Sequence, residues 1–575
     1  MPTIEVNYSE LETLLGIELH DNMERLDEIL SYVKSEVKYF NKQENIVSVE
    51  IKDTNRPDLW SVEGLARGLR SYLKIEKGPR NYFVNTSIVE VNVSPTLKNI
   101  RPYIGCSIIK EIELTDNIIR GFMHLQDKLD QTYGRSRQKT SIGLYDFNQI
   151  SAPLSYVAVK PSDFSFVPLG FEEKMTLSEI LEKHPKGIEY GHIVKKNDTY
   201  PLLIDSKQKV LSFPPIINSN DLGRLTEKTR NLLIEVTGTM YQTTINTLNL
   251  VTLALIDRGG IAYSATVNYP EDKFYSFRNI VTPVFKSKTV RLDIEYTRKV
   301  LGLDLTAQKI ADLLLIAGLG IEKINKSSVD VIVPCYRVDV MHQIDLIEDV
   351  AVAYGYNNIE PLWRDLPTTG SMLPNQHLKD VARELMVGLG YQETLNYTLT
   401  SQEKLFEKMN LEGQKVVELV NPKIVTMACL RNWLLPSLLE FLGNNQSVEF
   451  PQKIFELGKV TLLDDLSETL TRDEYWLAGI TTHPSSSFTE VKSVLASFFM
   501  NLGVDWFLEK TSHSSFIEGR VGKIIVNKKE VGVIGEINPK VLENWNLENP
   551  AAAFEVNLQK FFFKILKKVN ILPSL

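Results

Sequence analysis

Cysteine and histidine are scarce in this chain of 575 residues, which holds three cysteines and eight histidines. The cysteines lie far apart and form no C-x-x-C pair; they are Cys106, Cys335 and Cys429. No two histidines stand at the spacing of an H-E-x-x-H motif. The sequence therefore predicts neither a disulfide framework nor a zinc site, and we expect any metal to be held by oxygen ligands.

Long apolar runs are missing as well. No stretch reaches the roughly 18 consecutive apolar residues that a membrane-spanning helix needs. The first residues, MPTIEVNYSE, lack the basic and apolar regions of a signal peptide. These absences predict a cytoplasmic protein without a membrane partner. The net charge of -8 argues against a protein whose main activity is non-specific binding of nucleic acid.

What the chain does have is length and a globular composition, with 43% hydrophobic and 24% charged residues. At roughly 100–200 residues per domain, this predicts about three to five domains of mixed α/β or α+β class. Changes of composition and periodicity along the sequence place four of them, at residues 1–85, 86–282, 286–362 and 370–575. We expect the first to be a small α/β domain, the second a large domain rich in β-strands, and the fourth a large α/β or α+β domain.

Local patterns also predict single elements in the first domain. Ser9 and Glu12 have the spacing of a capping box, which predicts a helix that starts at Ser9. Apolar residues at helical spacing predict a second helix between Met23 and Val33. Alternation of apolar and polar residues predicts a strand over Ile46–Ile51.

The third domain contains two short predicted helices, about residues 293–301 and 306–317, separated by Gly302. This arrangement is typical of a helix-turn-helix. A helix that reads DNA should present several Arg, Lys, Asn or Gln side chains to base edges, but the second helix offers only Gln308 and Lys309. DNA is therefore not an expected partner.

Six sequence blocks spread over nearly the whole chain carry a more specific signal. They are Asp53–Arg70, Ser141–Asp146, Phe213–Ser219, Glu235–Thr239, Asp345–Ile359 and Leu430–Pro436. Their content and order resemble the phenylalanyl-tRNA synthetase β-subunit family. The length and the block Ser141–Asp146 are similar to the archaeal and eukaryotic branch. The bacterial subunit is longer, because it adds an oligonucleotide-binding domain and an anticodon-binding end for which we find no room here.

The resemblance implies a fold and a set of partners. The implied fold has an N-terminal α/β domain, a large β-rich tRNA-editing domain and a winged-helix-like domain. It ends in an antiparallel sheet like the core of class II synthetases. The implied partners are an α subunit in an α2β2 heterotetramer and tRNA(Phe). ATP is expected as a substrate of the complex, and Mg²⁺ as an ion shared with the α subunit.

An acidic constellation accompanies a predicted helix in the third domain. Asp345, Glu348 and Asp349 occupy positions i, i+3 and i+4, so they share one helix face, and Asp339 approaches from the preceding segment. Spacing alone favours a simple explanation, in which acidic residues complement the positive end of the helix dipole. The resemblance instead implies that Asp339, Asp345, Glu348 and Asp349 bind Mg²⁺, an ion that prefers oxygen ligands.

The segment Phe213–Thr239 resembles the part of the family's editing domain that hydrolyses mischarged tRNA. An apolar pocket rejects a ligand that adds one hydroxyl group only about 100-fold, so tyrosine escapes a pocket built for phenylalanine. A second site must therefore require the hydroxyl, through a buried acceptor that phenylalanine leaves unpaired. The resemblance implies four editing-pocket residues: Leu203, Ser212, Glu235 and Thr237. Glu235 is the candidate acceptor, whereas the residue pattern alone favours a solvated strand there.

The fourth domain resembles a class II synthetase core that lacks residues needed to activate an amino acid. Adenylate formation requires fixed cations around the ATP α-phosphate, usually an Arg in the second class II motif and another in the third. Arg431 lies in the block that matches the second motif. At the place of the third, Asn549–Asn557 has neither the glycines nor the arginine. We therefore do not expect the chain alone to activate phenylalanine.

Three functions fit these observations. The first is an obligate subunit of a phenylalanine–tRNA ligase that hydrolyses mischarged Tyr-tRNA(Phe) and docks the α subunit through apolar helix faces such as Leu378–Leu389. Helical periodicity does not distinguish such a face from an internal core. The second is a tRNA-binding scaffold whose editing site has decayed, against which Ser212, Glu235 and Thr237 argue. The third is a freestanding aminoacyl-tRNA deacylase, which leaves the acidic constellation and the synthetase-like domain unexplained. The first is our expectation.

Overall fold

The computed structural model describes residues 2–19, 22–363 and 368–561, in two units that divide between residues 363 and 364. The first unit carries three main β-sheets in succession along the chain, and the second unit is built on one. Each of the four predicted domain ranges contains one of these sheets, so the chain has a mixed α/β architecture. In the described part of the chain, no helix combines the length and hydropathy that crossing a lipid bilayer requires.

The chain begins with a three-stranded antiparallel sheet of order β1-β3-β2. Its strands β1 to β3 are Thr3–Asn7, Ser35–Asn41 and Ile46–Ile51. The helices α1 to α3 are Tyr8–Leu15, Met23–Ser31 and Val62–Tyr72. Every second residue of β3 is buried, which confirms the strand that its alternating sequence predicts.

The start of α1 differs from the predicted one. The helix begins at Tyr8, and its N-cap is Asn7, whose side chain accepts a hydrogen bond from the Glu10 amide at 3.1 Å. An N-cap residue needs an extended backbone, and Asn7 has one because it ends β1, whereas Ser9 already lies inside the helix. The capping box predicted at Ser9 is therefore wrong.

The largest sheet has ten strands, nine of them in the order β12-β11-β10-β7-β4-β14-β5-β13-β6, with β15 paired to β14. The strands of this region, β4 to β15, are Glu90–Val93, Tyr103–Lys110, Thr140–Asp146, Leu154–Val159, Ser165–Phe166, Met175–Thr176, Tyr200–Ile204, Val210–Phe213, Ile217–Asn218, Leu232–Gly238, Ile261–Asn268 and Asn279–Thr282. The helices α4 to α8 are Asp116–Gln131, Leu177–Lys183, Pro185–Tyr190, Asn220–Gly223 and Tyr241–Asp257. Strands β8 and β9 pair only with each other.

Strand β13 lies inside this sheet and divides its side chains between two cores. Leu232, Ile234 and Val236 face α4 and the mostly buried α8, in a core that continues into the N-terminal sheet and helices. Leu233 packs in a separate core on the opposite face of the sheet. Because successive side chains of a strand alternate, Glu235 and Thr237 point to the same face as Leu233.

The third sheet has the order β16-β18-β17 and is packed against a helix pair. Its strands β16 to β18 are Lys288–Asp293, Gly320–Ile324 and Ser328–Val333. The helices α9 to α11 are Ile294–Leu301, Ala307–Ile316 and Gln343–Tyr354. The first two agree with the helices predicted around Gly302, which ends α9 in a left-handed conformation with φ of 68°.

The second unit is built on a seven-stranded sheet of order β19-β22-β23-β27-β26-β25-β24, antiparallel except for the β19–β22 pair. Strands β19 to β27 are Gln392–Glu393, Leu399–Thr400, Cys429–Leu430, Gln452–Leu463, Thr471–Thr482, Trp506–Lys510, Phe516–Val526, Lys529–Ile537 and Ala551–Asn557. Helices α12 to α15 are Pro374–Gly388, Leu435–Asn444, Phe488–Asn501 and Pro539–Asn544.

Helix α12 uses its apolar stripe inside this unit. Leu378 and Met386 are buried in the core beside α14 and the sheet, and Leu385 and Leu389 pack against the same core. The stripe is therefore a core face, and the prediction that it docks the α subunit is wrong.

Buried ion pairs connect the N-terminal layer to α8. The Arg67 Nε of α3 donates to Asp257 Oδ2 at 2.9 Å, and both side chains are only 4% exposed. Arg80 and Tyr82 donate to the other carboxylate oxygen of Asp257 at 2.9 and 2.8 Å. The Arg67 guanidinium also lies 4.8 Å from the ring centroid of Tyr336, which follows the third sheet.

Replacement of Asp257 by alanine leaves the buried Arg67 guanidinium without its carboxylate partner. We expect the Asp257→Ala variant to lose about 3–5 kcal/mol of unfolding free energy, measured by urea denaturation. The matched control is Asp116→Ala, because the Asp116–Arg120 pair is 64% and 73% exposed and should contribute little. Equal denaturation midpoints for the two variants would contradict the assignment of Asp257 as a structural centre.

Candidate functional site

A cavity of about 200 Å³ opens between β6, α4 and the segment Ser212–Asn218. Strand β6 forms one end of the main strand order, and β11 and β12 form the other, so the sheet curls until its two ends face each other. The Tyr145 hydroxyl of β6 reaches across this opening to Asn218 Oδ1 at 3.3 Å. The cavity is thus enclosed by strands from both ends of one sheet.

Glu235 stands in this cavity on β13, opposite Cys106 of β5 and Gly143 of β6. Its side chain is buried, and its Oε2 accepts a hydrogen bond from the Tyr145 hydroxyl at 2.6 Å. Burial raises the pKa of Glu235 to about 7, although the Tyr145 hydrogen bond and the positive charge of Arg101 act in the opposite direction. The carboxyl group therefore changes its protonation state near neutral pH.

Gly143 provides the room for this carboxyl group. A Cβ atom at position 143 would collide with the Tyr145 hydroxyl and would lie 2.5 Å from Glu235 Oε2. Any side chain at position 143 would therefore displace the Glu235 carboxylate or the Tyr145 phenol.

Ser212 lies in the opposite wall of the cavity, on β11. Its side chain is only 2% exposed, and its Oγ has no partner at hydrogen-bonding geometry. The hydroxyl is close enough to Glu235 to lower the pKa of that carboxyl group. An unpaired hydroxyl beside a carboxylate can hydrogen-bond to a polar group that enters the cavity.

The other two predicted pocket residues do not line the cavity. Leu203 pairs with Ser212 across β10 and β11 and is fully buried in the core behind it. Thr237 lies two residues beyond Glu235, where its Oγ1 accepts from Arg101 Nε at 2.9 Å. Arg101 also donates to Ser141 Oγ at 3.0 Å, so Thr237 belongs to the frame that supports the cavity.

The predicted acidic constellation lines a smaller cavity of about 40 Å³ between the N-terminal layer and α11. Two of its carboxylates share one cation. Arg337 Nη2 lies 2.7 Å from Asp339 and 2.8 Å from Asp349, and the guanidinium is almost fully buried. Both carboxylates are therefore paired within the chain, and Arg56 Nε also lies 3.5 Å from Asp339 Oδ1.

The other two acidic residues lie closer to the outside of this cavity. Asp345 Oδ2 accepts hydrogen bonds from the amides of Met341 and His342 at 2.7 and 2.8 Å. Glu348 Oε1 accepts from Lys34 Nζ at 2.5 Å. In the described part of the chain, the second carboxylate oxygen of each, Asp345 Oδ1 and Glu348 Oε2, has no such partner.

The fit of this cavity to Mg²⁺ is partial. Five carboxylates and three cations line it, which leaves an excess of two negative charges. Among residues 2–19, 22–363 and 368–561, however, no three His, Cys, Asp or Glu side chains are grouped so that they could hold a metal ion. Asp345 and Glu348 fit an ion that keeps most of its water, whereas Asp339 and Asp349 are held by Arg337 and do not fit as direct ligands.

Arg431 of the second unit is also internally paired. It forms an ion pair with Glu456 at 2.6 Å, with side chains only 2% and 0% exposed. Close by, the Glu555 carboxylate accepts from the amides of Leu434 and Leu435 at 2.7 and 3.0 Å, and burial raises its pKa to about 7. In this arrangement Arg431 is a structural cation and is not exposed to a phosphate.

Comparison with known proteins gives matches over the whole chain. Residues 359–558 match the model of the phenylalanyl-tRNA synthetase β-chain CLM domain, and residues 290–356 match the tRNA synthetase B5 domain. The phenylalanine–tRNA ligase β subunit of Pyrococcus abyssi is 43% identical over 564 residues, which cover 98% of this chain and 100% of the relative. The chain belongs to the family of phenylalanine–tRNA ligase β subunits.

Other members of the β-subunit family agree with this assignment. The β subunit of Methanosphaera stadtmanae is 37% identical over 97% of this chain and 100% of its own length. A crystal structure of an N-terminal fragment of the phenylalanyl-tRNA synthetase β subunit from Pyrococcus horikoshii is 40% identical. It covers 62% of this chain and all of the fragment, with a TM-score of 0.59. These relatives confirm the predicted resemblance and its archaeal type.

Sequence reasoning did not single out Ser141, which lines the cavity, Gly143 and Tyr145, which lie against Glu235, or the supporting cation Arg101. The block Ser141–Asp146 held the signal, because Ser141, Gly143 and Tyr145 alternate and so face the same side of β6. Nothing in the sequence connects Arg101 to Thr237, because 136 residues separate them.

The space at Gly143 can be tested directly. We expect Gly143→Ala to destabilise the protein by about 1–3 kcal/mol in urea denaturation, because the added Cβ overpacks the site around Glu235. The matched control is Gly121→Ala in α4, where a Cβ meets no atom within 4 Å. Alanine there should stabilise the helix by about 0.5–1 kcal/mol. If Gly143→Ala is as stable as the wild type, the residues around Glu235 move to accommodate the added methyl group, and the site is not tightly packed.

Proposed function

We propose that this chain acts as the β subunit of an α2β2 phenylalanine–tRNA ligase and hydrolyses mischarged Tyr-tRNA(Phe) in the cavity around Glu235. The α subunit attaches phenylalanine to tRNA(Phe) with ATP and Mg²⁺. The observation that carries the proposal is a buried carboxyl group in the wall of an otherwise largely apolar cavity.

The cavity supplies what a hydroxyl-reading site needs. Apolar side chains of Leu144, Phe213 and Ile216 line it and suit an aromatic ring. Glu235 and the unpaired Ser212 hydroxyl supply polar groups for the phenol of tyrosine. A phenylalanine ring would leave the buried Ser212 hydroxyl unpaired and would give Glu235 no hydrogen bond beyond that of Tyr145, so binding should favour tyrosine.

We assign the attack on the ester to water. Among the described residues, the lining of this cavity includes neither cysteine nor histidine. The carboxyl group beside Ser212 is Glu235, which this proposal assigns to the phenol, and Ser141 Oγ already accepts a hydrogen bond from Arg101, so neither serine has a free base to make it a nucleophile. The role of this chain is to bind the tyrosyl group and to hold the ester where water reaches it.

The amino-acid activation step belongs to the α subunit in this proposal. ATP requires exposed cations at its α-phosphate, and Arg431 is already paired with Glu456 inside the second unit. The second unit then serves the complex as a folded support rather than as a catalyst.

The proposal is tested by hydrolysis of Tyr-tRNA(Phe) and Phe-tRNA(Phe) by the purified α/β complex. We expect Glu235→Ala to lower the ratio of tyrosyl to phenylalanyl hydrolysis about 10- to 100-fold, because a hydrogen bond to a charged group is lost. Aminoacylation by the same complex should be unchanged. A wild-type complex that hydrolyses both esters equally would contradict the editing function and leave a tRNA-binding scaffold.

The pH dependence of this ratio gives an independent check. Ionised Glu235 accepts a hydrogen bond from the phenol, whereas the protonated form has lost its negative charge. Since the pKa of Glu235 is raised to about 7, the preference for the tyrosyl ester should increase as pH rises through about 7. The Glu235→Gln variant should show no such increase. A pH-dependent ratio that persists in Glu235→Gln would assign the titration to another group.

We propose further that Mg²⁺ binds at the outer side of the acidic cavity through Asp345 and Glu348. The excess of two negative charges there favours a divalent cation, and one free oxygen on each side chain suits an ion that takes one or two carboxylates. Water and the α subunit complete the coordination. Asp339 and Asp349 support the site through Arg337.

The Mg²⁺ site is tested by calorimetric titration of the α/β complex with the metal. We expect Asp345→Asn and Glu348→Gln each to weaken binding about tenfold or more, because each removes a charged ligand. The control Asp312→Asn changes a half-buried carboxylate of α10 that does not line the acidic cavity, and it should leave the affinity unchanged. If Asp349→Asn weakens binding as strongly as Asp345→Asn, the ligand set includes Asp349 and Arg337 must move on binding.

A further inference from the structure

The turn between α4 and β6 has an unusual backbone. Arg135, Ser136 and Arg137 have φ angles of 48°, 50° and 63°, three consecutive non-glycine residues in the left-handed region. A single residue of this kind is uncommon, and such a conformation persists where surrounding contacts enforce it. The contacts that enforce it here converge on Arg137, which lines the cavity.

Arg137 connects the two walls of the cavity. Its Nη1 donates to the carbonyl oxygens of Pro215 and Ile216 at 3.1 and 2.9 Å, on the wall that follows β11. Its own carbonyl oxygen accepts from Arg101 Nη1 at 3.0 Å. Arg101 is bonded in turn to Thr237 of β13, two residues from Glu235. The distance between the acceptor and the opposite wall therefore depends on where Arg137 lies.

Asp130 fixes the guanidinium of Arg137. The Asp130 carboxylate, at the end of α4, lies 3.0 Å from Arg137 Nε, and its side chain is only 1% exposed. In the described part of the chain, Arg137 is the one cation in an ion pair with Asp130. Asp130 does not itself line the cavity, so it acts on a bound group through its neighbours, of which Arg137 is the ion-pair partner.

We propose that Asp130 is a positioning residue for selection of the tyrosyl ester. The Asp130–Arg137 ion pair aims the guanidinium fork at the carbonyls of Pro215 and Ile216 and so sets the width of the cavity. This inference rests on the proposed editing function. The rigid guanidinium places Nε against Asp130 and Nη1 against both carbonyls at the same time, which the single nitrogen of a lysine does not do.

The first experiment compares Asp130→Asn with a matched control in the α/β complex. Asparagine keeps the shape of the side chain but removes the charge that holds Arg137. We expect the ratio of tyrosyl to phenylalanyl hydrolysis to fall about tenfold or more, because a displaced wall misplaces the ester. The control Asp257→Asn weakens another buried Arg–Asp pair, at 2.9 Å, and should lower thermal stability without changing the ratio.

A second variant keeps the test decisive if Asp130→Asn folds poorly. Arg137→Lys retains a cation but has a single nitrogen, which cannot contact Asp130 and reach the two carbonyls at the positions that Nε and Nη1 occupy, so we expect a similar loss of the ratio. In a double-mutant cycle, Asp130→Asn should add no further loss to Arg137→Lys, since both act through the same fork. Independent, additive losses would overturn the assignment of Asp130 as acting through Arg137.

The two proposals fail in distinguishable ways. If Glu235→Ala loses the preference for the tyrosyl ester while Asp130→Asn and Arg137→Lys retain it, the positioning role is wrong and the editing function stands. If Glu235→Ala also retains the preference, the cavity around Glu235 is not the editing site and the positioning role is wrong with it, whereas a wild-type complex without any preference would contradict the editing function itself.

Discussion

The buried carboxylate of Asp257 is the contact on which the first unit depends. It ends α8, which packs under the ten-stranded sheet, and it accepts from Arg67, Arg80 and Tyr82 of the N-terminal segment. A buried carboxylate destabilises the fold unless it is fully paired. Asp257 is fully paired only when Arg67, Arg80 and Tyr82 all donate to it. The adjacent Arg258 repeats the connection through Glu63, at 2.6 Å. The sheet therefore has a fixed backing on one face, and the candidate site occupies the other.

The candidate site holds a buried carboxyl group that this packing makes tolerable. Glu235 is buried in the middle of a sheet, a place that disfavours a charge and raises its pKa to about 7. Tyr145 and the space at Gly143 make this position tolerable, and they do so on the strand that meets the far end of the same sheet. A strongly perturbed carboxyl group in a cavity marks a candidate functional site. Burial of Glu235 therefore lowers the stability of the fold, and the packing of α8 against the N-terminal layer offsets this loss.

Internal counter-ions distinguish the acidic cavity and the second unit from simple ligand-binding sites. Arg337 pairs with both Asp339 and Asp349, and Arg431 pairs with Glu456. In both places a guanidinium fork satisfies buried carboxylates, which stabilises the local fold and removes those groups from direct contact with a metal or a phosphate. Asp345 and Glu348, which lie closer to the outside, each keep one carboxylate oxygen for a ligand. Burial therefore separates Asp339 and Asp349, which support the local fold, from Asp345 and Glu348, which are available to a ligand.

Local periodicity in the sequence determined the strand Ile46–Ile51 and the helix pair around Gly302, because burial of one face fixes the spacing of apolar residues. The six sequence blocks identified the family and pointed to Glu235. Tertiary structure decided which side chains meet. Tyr145 and Glu235 are 90 residues apart, and Arg101 and Thr237 are 136 apart, so no local pattern records either contact. The curl of the sheet brings its two ends together, and that long-range pairing places Ser212 in the cavity while it leaves Leu203 behind the wall.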